Sequence, residues 1–330
     1  MAVRYESNSL FPTRPQPVRQ FGAPRFDRPV PRDGYAWWYV DALSDDGRYG
    51  LTVIAFVGSV FSPYYAHRRR QGPADPLEHC ALNVALYGPD HARWAMTERG
   101  RTAVRRGADT FEIGPSALEW DGHSLSIHVD EVAMPVPLRV RGRIRLTPTA
   151  GTHYTAVLDA TGLHRWSPIA PEARVEVEFA HPGLRWAGTG YLDSNSGDAP
   201  LETAFASWHW SRAALCDGAA VLYDVERRDG DRLSLALKFD RHGGVHAFEP
   251  PPVATLPRSG WRVERLTRSE LARAKVVRTL TDAPFYARSE VRQRLYGQDV
   301  AAIHESLSLD RFAARWVQVL LPFRMPRVAR

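Results

Sequence analysis

Three short segments of the chain each place two aromatic or titratable side chains two residues apart. The pairs are His164 with Trp166, Tyr191 with Asp193, and Trp208 with Trp210. Residues i and i+2 of a β-strand share one face, so the three pairs could line one cavity. Such a cavity would hold an imidazole and a carboxyl group, which transfer protons, among aromatic rings, which attract cations. Taken alone, each pair is more typical of a β-barrel core than of a site, with the acid as a turn or cap residue.

Motifs for nucleotide, metal and serine-hydrolase chemistry are absent from the sequence. It contains no GxGxxG after a strand, no GxxxxGK, no GxSxG and no HExxH. Cys80 and Cys216 lie far apart without the spacing of a zinc site, and the two glycines between His242 and His246 predict a turn rather than a metal-binding helix. We therefore expect no metal ion and no cofactor.

The composition is that of a globular protein. The chain has 330 residues, 44% of them hydrophobic and 24% charged, which suffices for two average domains and excludes the disordered and multi-span membrane classes. Its net charge is +6, but the arginines are spread among acids, and no basic run is interleaved with aromatic residues. Nucleic acid is therefore not an expected partner.

Strand periodicity dominates the sequence after residue 32. Apolar and polar residues alternate at residues 125–129, 138–146, 175–179 and 233–239, and tight-turn signals such as Asp-Gly separate such runs. Helical periodicity is confined to residues 269–275 and 309–321. This pattern predicts an all-β protein of antiparallel sheets, closed into barrels or sandwiches, with small helical additions.

Three regions are predicted along the chain. Residues 1–32 carry six prolines and scattered arginines, a composition typical of a leader or linker. The remaining length fits two barrels of about 150 residues each, and we place them at residues 33–185 and 186–330, the second with a basic tail. The N-terminal segment has no apolar core behind a basic head, so neither a secretory signal nor an N-terminal anchor is expected, and a cytoplasmic location is predicted.

Longer blocks of the sequence resemble those of one protein family. The blocks are DGYAWWYVDALSDDG at 33–47, LTVIAFVGSVFSPYY at 51–65, NVALY at 83–87, WAMTER at 94–99, GYLDSN at 190–195 and WHWSR at 208–212. They closely resemble the hydroxyneurosporene synthase family, the carotenoid 1,2-hydratases of photosynthetic bacteria. The resemblance runs from about residue 33 into the C-terminal region, and blocks of this length are far more specific than a short motif.

The resemblance implies a fold, a reaction and a set of site residues. It implies a pair of lipocalin-like β-barrels, no cofactor, and addition of water across the terminal C1=C2 bond of an acyclic carotene such as neurosporene or lycopene. The family's functional positions fall on His164, Trp166, Tyr191 and Asp193, with Asp193 as the acid. These four residues are also members of the pairs that strand spacing places on shared faces.

Hydration of an alkene explains why these residue types are needed. A proton delivered to C2 leaves a tertiary cation at C1, which water captures, so the enzyme needs an acid, a shelter for the cation and one placed water. Burial would keep Asp193 protonated, and the rings of Trp166 and Tyr191 would attract the cation by about 0.5 to 2 kcal/mol each. His164 would hold the water and take its proton. The substrate-binding residues expected in addition are Trp38, Trp208 and Trp210.

Two other functions remain open at this stage. One is a lipocalin-type protein that binds a carotenoid or another isoprenoid without transforming it, and the other is a pericyclase-like enzyme on the same fold. A buried acid within reach of the end of the ligand would distinguish the hydratase from the binding protein. A bowl-shaped pocket, in place of a long narrow tunnel, would favour the pericyclase.

Contact with a membrane surface is expected because acyclic carotenes reside in the bilayer. No run of the sequence approaches the roughly 20 apolar residues that span a bilayer, so we predict peripheral association with the inner or photosynthetic membrane. Positive charge without acid concentrates at residues 67–70 and 311–330, and the second segment also carries large apolar residues. That composition suits an anionic interface, but a final strand or packing helix with a frayed basic end fits it equally well.

Overall fold

The computed structural model describes residues 22–328. Residues 1–21 of the predicted leader therefore lie outside the described part of the chain. The end of that leader is packed rather than free, because Phe26 is fully buried with its ring 5.0 Å from Trp38 and 6.1 Å from Phe111.

Strands make up most of the described chain. Within residues 22–328 they are β1 (Tyr35–Ser44), β2 (Gly50–Val57), β3 (Cys80–Tyr87), β4 (Arg93–Arg99), β5 (Val104–Arg106), β6 (Thr110–Ile113), β7 (Ser116–Trp120), β8 (Leu125–Val132), β9 (Arg139–Ala150), β10 (Ala156–Val157), β11 (His164–His181), β12 (Leu184–Gly197), β13 (Phe205–Leu215), β14 (Gly218–Arg227), β15 (Arg232–Asp240), β16 (Val245–Ala247), β17 (Val253–Leu256), β18 (Arg265–Arg268), β19 (Lys275–Asp282), β20 (Tyr286–Leu295), β21 (Gln298–Ser308) and β22 (Arg327–Val328). The four alternating runs predicted from the sequence fall in β8, β9, β11 and β15 and are confirmed as strands.

The helical segments are short. They are α1 (Pro63–Arg69), α2 (Leu201–Ala204), α3 (Leu309–Ala313) and α4 (Arg315–Leu320), with 3-10 turns at Pro76–Glu78, Arg101–Ala103 and Leu321–Phe323. The helical prediction for residues 309–321 is confirmed. The prediction for residues 269–275 is wrong: Ala272 takes a φ of 51°, the Ser269 hydroxyl accepts a hydrogen bond from the Arg294 amide, and β19 begins at Lys275.

Within residues 22–328, no helix combines the length and the apolar character needed to cross a bilayer.

Two large sheets and one small one organise these strands. The first sheet runs β22-β4-β3-β2-β1-β12-β11-β9-β8-β7-β6-β5, with β10 beside β11, and the second runs β16-β15-β14-β13-β21-β20-β19. Their neighbouring strands pair antiparallel, apart from β22 beside β4, and β17 and β18 form a separate pair. The prediction of a mostly β protein is confirmed, with the first sheet curled into a half-barrel.

The curl of the first sheet follows from where its apolar side chains meet. Trp38 and Val40 of β1 share one buried cluster with Phe111 of β6 and Ile127 of β8, although several strands separate β1 from β6 and β8 in the sheet. Only a curled sheet brings those strands face to face. We call this cluster the first core.

β1 is buried on both faces, because a second core lies between the first and the second sheet. Tyr35, Trp37 and Tyr39 point into this second core, where they meet Trp208 and Trp210 of β13. The alternation of side chains along a strand sends neighbouring residues to opposite faces, so β1 serves both cores at once.

A buried cluster of charged groups joins the two sheets through the second core. Asp41 of β1, which is fully buried, accepts hydrogen bonds from Arg212 Nη2 at 2.6 Å and from Arg288 Nη2 at 3.2 Å. Arg288 also forms an ion pair with Glu305 of β21, and Tyr39 Oη donates to Glu305 Oε1 at 2.7 Å. These contacts tie β1 of the first sheet to β13, β20 and β21 of the second.

We expect Asp41→Asn to lower the free energy of unfolding by about 3 to 5 kcal/mol, because it leaves two guanidinium groups without their shared buried carboxylate. The matched control is Asp45→Asn, which breaks the exposed ion pair of Asp45 with Arg174 (2.6 Å) and should change stability far less. Urea denaturation followed by tryptophan fluorescence measures both. Equal midpoint shifts for the two variants would show that the buried cluster does not stabilise the sheet interface.

Candidate active site

The four residues predicted to be catalytic lie together on β11 and β12, which are adjacent antiparallel strands of the first sheet. Trp166 lies opposite Asn195, two residues beyond Asp193, so the indole of Trp166 can reach back to the carboxyl group of Asp193. All four side chains point into the second core. Their residues are 4% exposed or less: His164 1%, Trp166 0%, Tyr191 0% and Asp193 4%.

The carboxyl group of Asp193 is held by two donors. Its Oδ2 accepts one hydrogen bond from Trp166 Nε1 at 2.8 Å and one from Tyr191 Oη at 2.8 Å. Burial raises the pKa of Asp193 to about 8, although these two hydrogen bonds pull it down; the nearby charges of Glu305 and Asp41 raise it further. At neutral pH this group is mostly protonated, as an acid catalyst must be.

Aromatic rings surround this acid. The ring of Tyr191 packs against Trp210 at 5.3 Å and edge-on against Tyr39 at 6.1 Å, and Trp166 meets Tyr223 edge-on at 5.6 Å. Such rings present negative faces that stabilise a cation when water is excluded.

His164 lies further along the same row of side chains. Its Nδ1 is 2.9 Å from Tyr35 Oη, its backbone amide donates to Asp159 Oδ1 at 2.8 Å, and burial lowers its pKa, so the ring is neutral. Within residues 22–328, His164 Nε2 is buried without a hydrogen-bond partner. Because His164 pairs with Gly197, its backbone lies about 13 Å along β12 from Asp193.

A cavity of about 380 Å³ lies between the sheets, and the four predicted catalytic residues, His164, Trp166, Tyr191 and Asp193, are not among the residues that line it. Its lining includes Trp37, Tyr39 and Trp208 together with two carboxylates, Asp282 and Glu305, so its wall is mostly aromatic and apolar. Tyr39 lines the cavity and also packs edge-on against Tyr191. Tyr39 therefore stands between the cavity and the pair of Tyr191 and Asp193.

The three tryptophans predicted to bind substrate have different surroundings. Trp208 lines the cavity, and Trp210 packs against Tyr191 beside it. Trp38 instead lies in the first core, where its Nε1 donates to the carbonyl of Pro24 at 2.7 Å. Trp37, its neighbour in sequence, faces the cavity, because consecutive residues of a strand point to opposite sides.

Sequence reasoning missed Tyr39, Arg288 and Glu305. Tyr39 had a signal that went unused, since it shares a face with Asp41 and lies in the same block as the tryptophan pair. Glu305 had none, because its contact with Tyr39 joins residues 266 positions apart.

No group of three or more His, Cys, Asp or Glu side chains within residues 22–328 is arranged to hold a metal ion.

Comparisons with known proteins identify the family. The family model described as carotenoid hydratase CrtC matches residues 53–330. The acyclic carotenoid 1,2-hydratase of Thiocapsa roseopersicina is 57% identical over 307 residues, which cover 92% of this chain and 76% of that protein. The acyclic carotenoid 1,2-hydratase of Rubrivivax gelatinosus is 54% identical over 315 residues, which cover 93% of this chain and 77% of that protein.

Among solved structures, a putative AttH protein from Nitrosomonas europaea matches with a TM-score of 0.56 at 16% identity, covering 83% of this chain and 92% of that one. At that identity the match shows a shared fold. The extent and identity of the sequence matches confirm the resemblance found in the sequence: this chain belongs to the CrtC family of carotenoid hydratases.

Proposed function

We propose that this carotenoid hydratase, a hydro-lyase, adds water across the terminal C1=C2 bond of an acyclic carotene, with Asp193 as the proton donor. The observation that carries the proposal is a carboxyl group with a pKa of about 8, buried among aromatic rings beside an aromatic cavity. Protonation of an alkene needs an acid that keeps its proton at neutral pH, and a pKa near the working pH suits that task. The relatives from Thiocapsa roseopersicina and Rubrivivax gelatinosus, which are identical to this chain at more than half of the aligned positions, are acyclic carotenoid 1,2-hydratases.

The contacts of Asp193 suggest which oxygen carries the proton. Oδ2 accepts hydrogen bonds from Trp166 and Tyr191, whereas the contact of Oδ1 within the described residues 22–328 is Asn195 Nδ2 at 3.5 Å. We therefore assign the proton to Oδ1. When it moves to C2, the new C–H bond leaves a cation at C1, and the charge left on the carboxylate is stabilised by the two donors at Oδ2.

The surrounding side chains fit the second half of the reaction. The rings of Tyr191, Trp210 and Tyr39 would attract the cation at C1, and His164, with a neutral ring and an unpartnered Nε2, would hold the water and take its proton. The water oxygen bonds to C1 and gives up one proton to His164, and Asp193 regains a proton from solvent, because the backbones of the two residues lie about 13 Å apart along β12. Because Tyr39 separates the cavity from Asp193, the double bond must pass its ring, or the ring must move aside.

The two alternative functions have less support. Neither the binding protein without catalysis nor the pericyclase explains a protonated acid beside the cavity in a chain of the hydratase family.

The two lipocalin-like barrels remain a proposal, supported by the separate sheets of the two halves of the chain. β12 continues the first sheet past the predicted boundary at residue 185, and the second sheet begins at Phe205. We therefore extend the first unit through Gly197. Limited proteolysis that cleaves between Gly197 and Phe205 before other sites would support this division.

Asp193→Asn should abolish hydration while the protein still folds and binds carotene, because the amide keeps the shape of the side chain and removes the transferable proton. Loss of a general acid costs about 10²- to 10⁴-fold in rate. The assay is purified protein with lycopene in detergent micelles, with mass spectrometry to detect a product heavier by one water. The control is Asp224→Asn, which should keep its turnover. Asp224 lies on β14 of the second sheet and forms an ion pair with Arg268 of β18. Near-normal turnover by Asp193→Asn would place the acid elsewhere.

The value of kcat/KM should fall about tenfold per unit above pH 8, because Asp193 must keep its proton, and it should fall again at acidic pH, where His164 takes up a proton and can no longer act as the base. Tyr191→Phe removes a donor that stabilises the carboxylate, so its falling limb should move to higher pH with partial activity retained. Tyr35→Phe is the control. It removes another buried tyrosine hydroxyl, one that contacts His164 and not Asp193, so its falling limb should stay at the wild-type pH. A limb that stays in place in Tyr191→Phe would assign it to another group.

Hydration should need no added nicotinamide, flavin or metal, and should survive exhaustive chelation. The measurement is turnover of lycopene in micelles before and after treatment with EDTA and dialysis. Activity that disappears and returns with one specific metal ion would contradict this expectation.

A further inference from the structure

The mouth of the cavity is surrounded by exposed apolar side chains. They are Trp261 at 46%, Trp316 at 48%, Val319 at 67%, Leu320 at 46% and Phe323 at 68% of full exposure. Trp261, Leu320 and Phe323 also line the cavity. Val317, on the inner side of α4, lines it too and is 1% exposed. α4 and the turn at Leu321–Phe323 thus present an apolar face to solvent where the cavity opens.

An open groove with basic residues lies beside this apolar face. Arg68 and Arg70 from the end of α1 line it, opposite Val319 and Pro322 of the C-terminal segment. The structure therefore brings together the two basic segments that are separate in sequence, residues 67–70 and 311–330. We define the docking face as Arg68, Arg70, Val319 and Pro322 of this groove, together with Trp261, α4 and the turn at Leu321–Phe323.

The arginines of the docking face are free to meet an external anion. Within residues 22–328, no carboxylate lies within 4.0 Å of the guanidinium groups of Arg68, Arg70 or Arg315. The acids that line the groove, Asp75 and Glu78, share the guanidinium group of Arg101, which leaves one negative charge against the positive charges of Arg68, Arg70 and Arg315. Net positive charge thus surrounds the apolar face.

This combination fits an anionic lipid surface better than a second copy of the chain. Large apolar side chains flanked by arginines are typical of segments that lie in the interfacial region of a bilayer, where each basic residue contributes about 1 kcal/mol. In a symmetric dimer through the same face, the unpaired arginines of both copies would be brought together and repel. Charge complementarity therefore selects anionic lipid as the occupant.

We propose that the docking face binds an anionic bilayer and that the carotene passes from the acyl chains directly into the cavity. That the molecule entering the cavity is a carotene rests on the proposed function. The contact of the docking face with anionic lipid does not depend on it. The cavity, at about 380 Å³, is at the lower end of the range of about 300–1,000 Å³ for sites that enclose drug-sized ligands. A C40 chain whose end reaches Asp193 would therefore leave much of its length outside, where the bilayer would shield it from water.

Cosedimentation with vesicles tests the lipid contact without reference to activity. Wild-type protein should bind vesicles of phosphatidylcholine with 30% phosphatidylglycerol at low salt, and more weakly at high salt or without the anionic lipid. Arg68→Glu with Arg70→Glu should weaken binding about tenfold or more and remove the preference for anionic lipid. Arg185→Glu with Arg292→Glu reverses two exposed arginines elsewhere and should bind almost as the wild type does.

The apolar contribution is tested by a second pair of variants. Trp316→Ser with Val319→Ser should weaken vesicle binding about tenfold or more. The control is Leu271→Ser with Val277→Ser, which removes two side chains of similar exposure, 62% and 50%, from another surface. Equal binding by the two double variants, or a dimer that only Trp316→Ser with Val319→Ser dissociates, would overturn the proposal.

Turnover in two media separates this proposal from the proposed function. Trp316→Ser with Val319→Ser should keep wild-type turnover of lycopene in detergent micelles and lose most of it when lycopene is embedded in vesicles. Equal activity of variant and wild type in vesicles would contradict entry through the docking face. If the wild type hydrates lycopene in neither medium, the proposed function fails, and the cosedimentation result still decides the lipid contact.

Discussion

The buried ion cluster between the two sheets is the interaction on which the site depends. Asp41 and Glu305 face Arg212 and Arg288 in a region that excludes water, and each charge has a partner on the other sheet or on a neighbouring strand. Unpaired, any of these groups would destabilise the fold by several kcal/mol, so the cluster defines how the sheets meet. The same two carboxylates also favour the protonated form of Asp193, which lies in the same low-dielectric region and has no ion-pair partner among residues 22–328.

The division of β1 between two cores explains why the acid lies where it does. One face of this strand completes the curled first sheet, and the other carries Tyr35, Trp37 and Tyr39 into the space between the sheets. β12 pairs with β1 directly, with Asp193 opposite Tyr39, so the acid enters that space beside the aromatic wall.

A largely apolar route leads from the surface towards this acid and is closed at its inner end by the ring of Tyr39. It begins at the exposed residues of α4 and the following turn, continues through a cavity walled by Trp37 and Trp208, and ends at Tyr39, behind which lie Tyr191 and Asp193. Such a route suits a long apolar chain with a reactive end, because only the reacting terminus must leave the lipid for the site. Exclusion of water along the route also strengthens the attraction between the rings and a developing cation.

The strands of this protein, and the side chains that share one face of a strand, follow from the amino-acid sequence alone. The period of two predicted the strands at β8, β9, β11 and β15 and the shared faces of His164 with Trp166 and of Tyr191 with Asp193, because both depend only on neighbouring residues. The helix predicted at residues 269–275 is wrong, since a serine followed by a glutamate and apolar residues can also form a turn. Here the segment is a turn, with Ala272 at a φ of 51°.

The assignment of each strand face to one of the two cores depends on how the sheets pack together. The pattern shows that Trp37 and Trp38 point in opposite directions, but packing against the second sheet selects Trp37 for the cavity and leaves Trp38 in the first core. The contacts of Asp41 with Arg212 and of Tyr39 with Glu305 span 171 and 266 residues, and no local spacing encodes such distances. These contacts form because the apolar faces of the two sheets are buried against each other, which brings residues distant in sequence together.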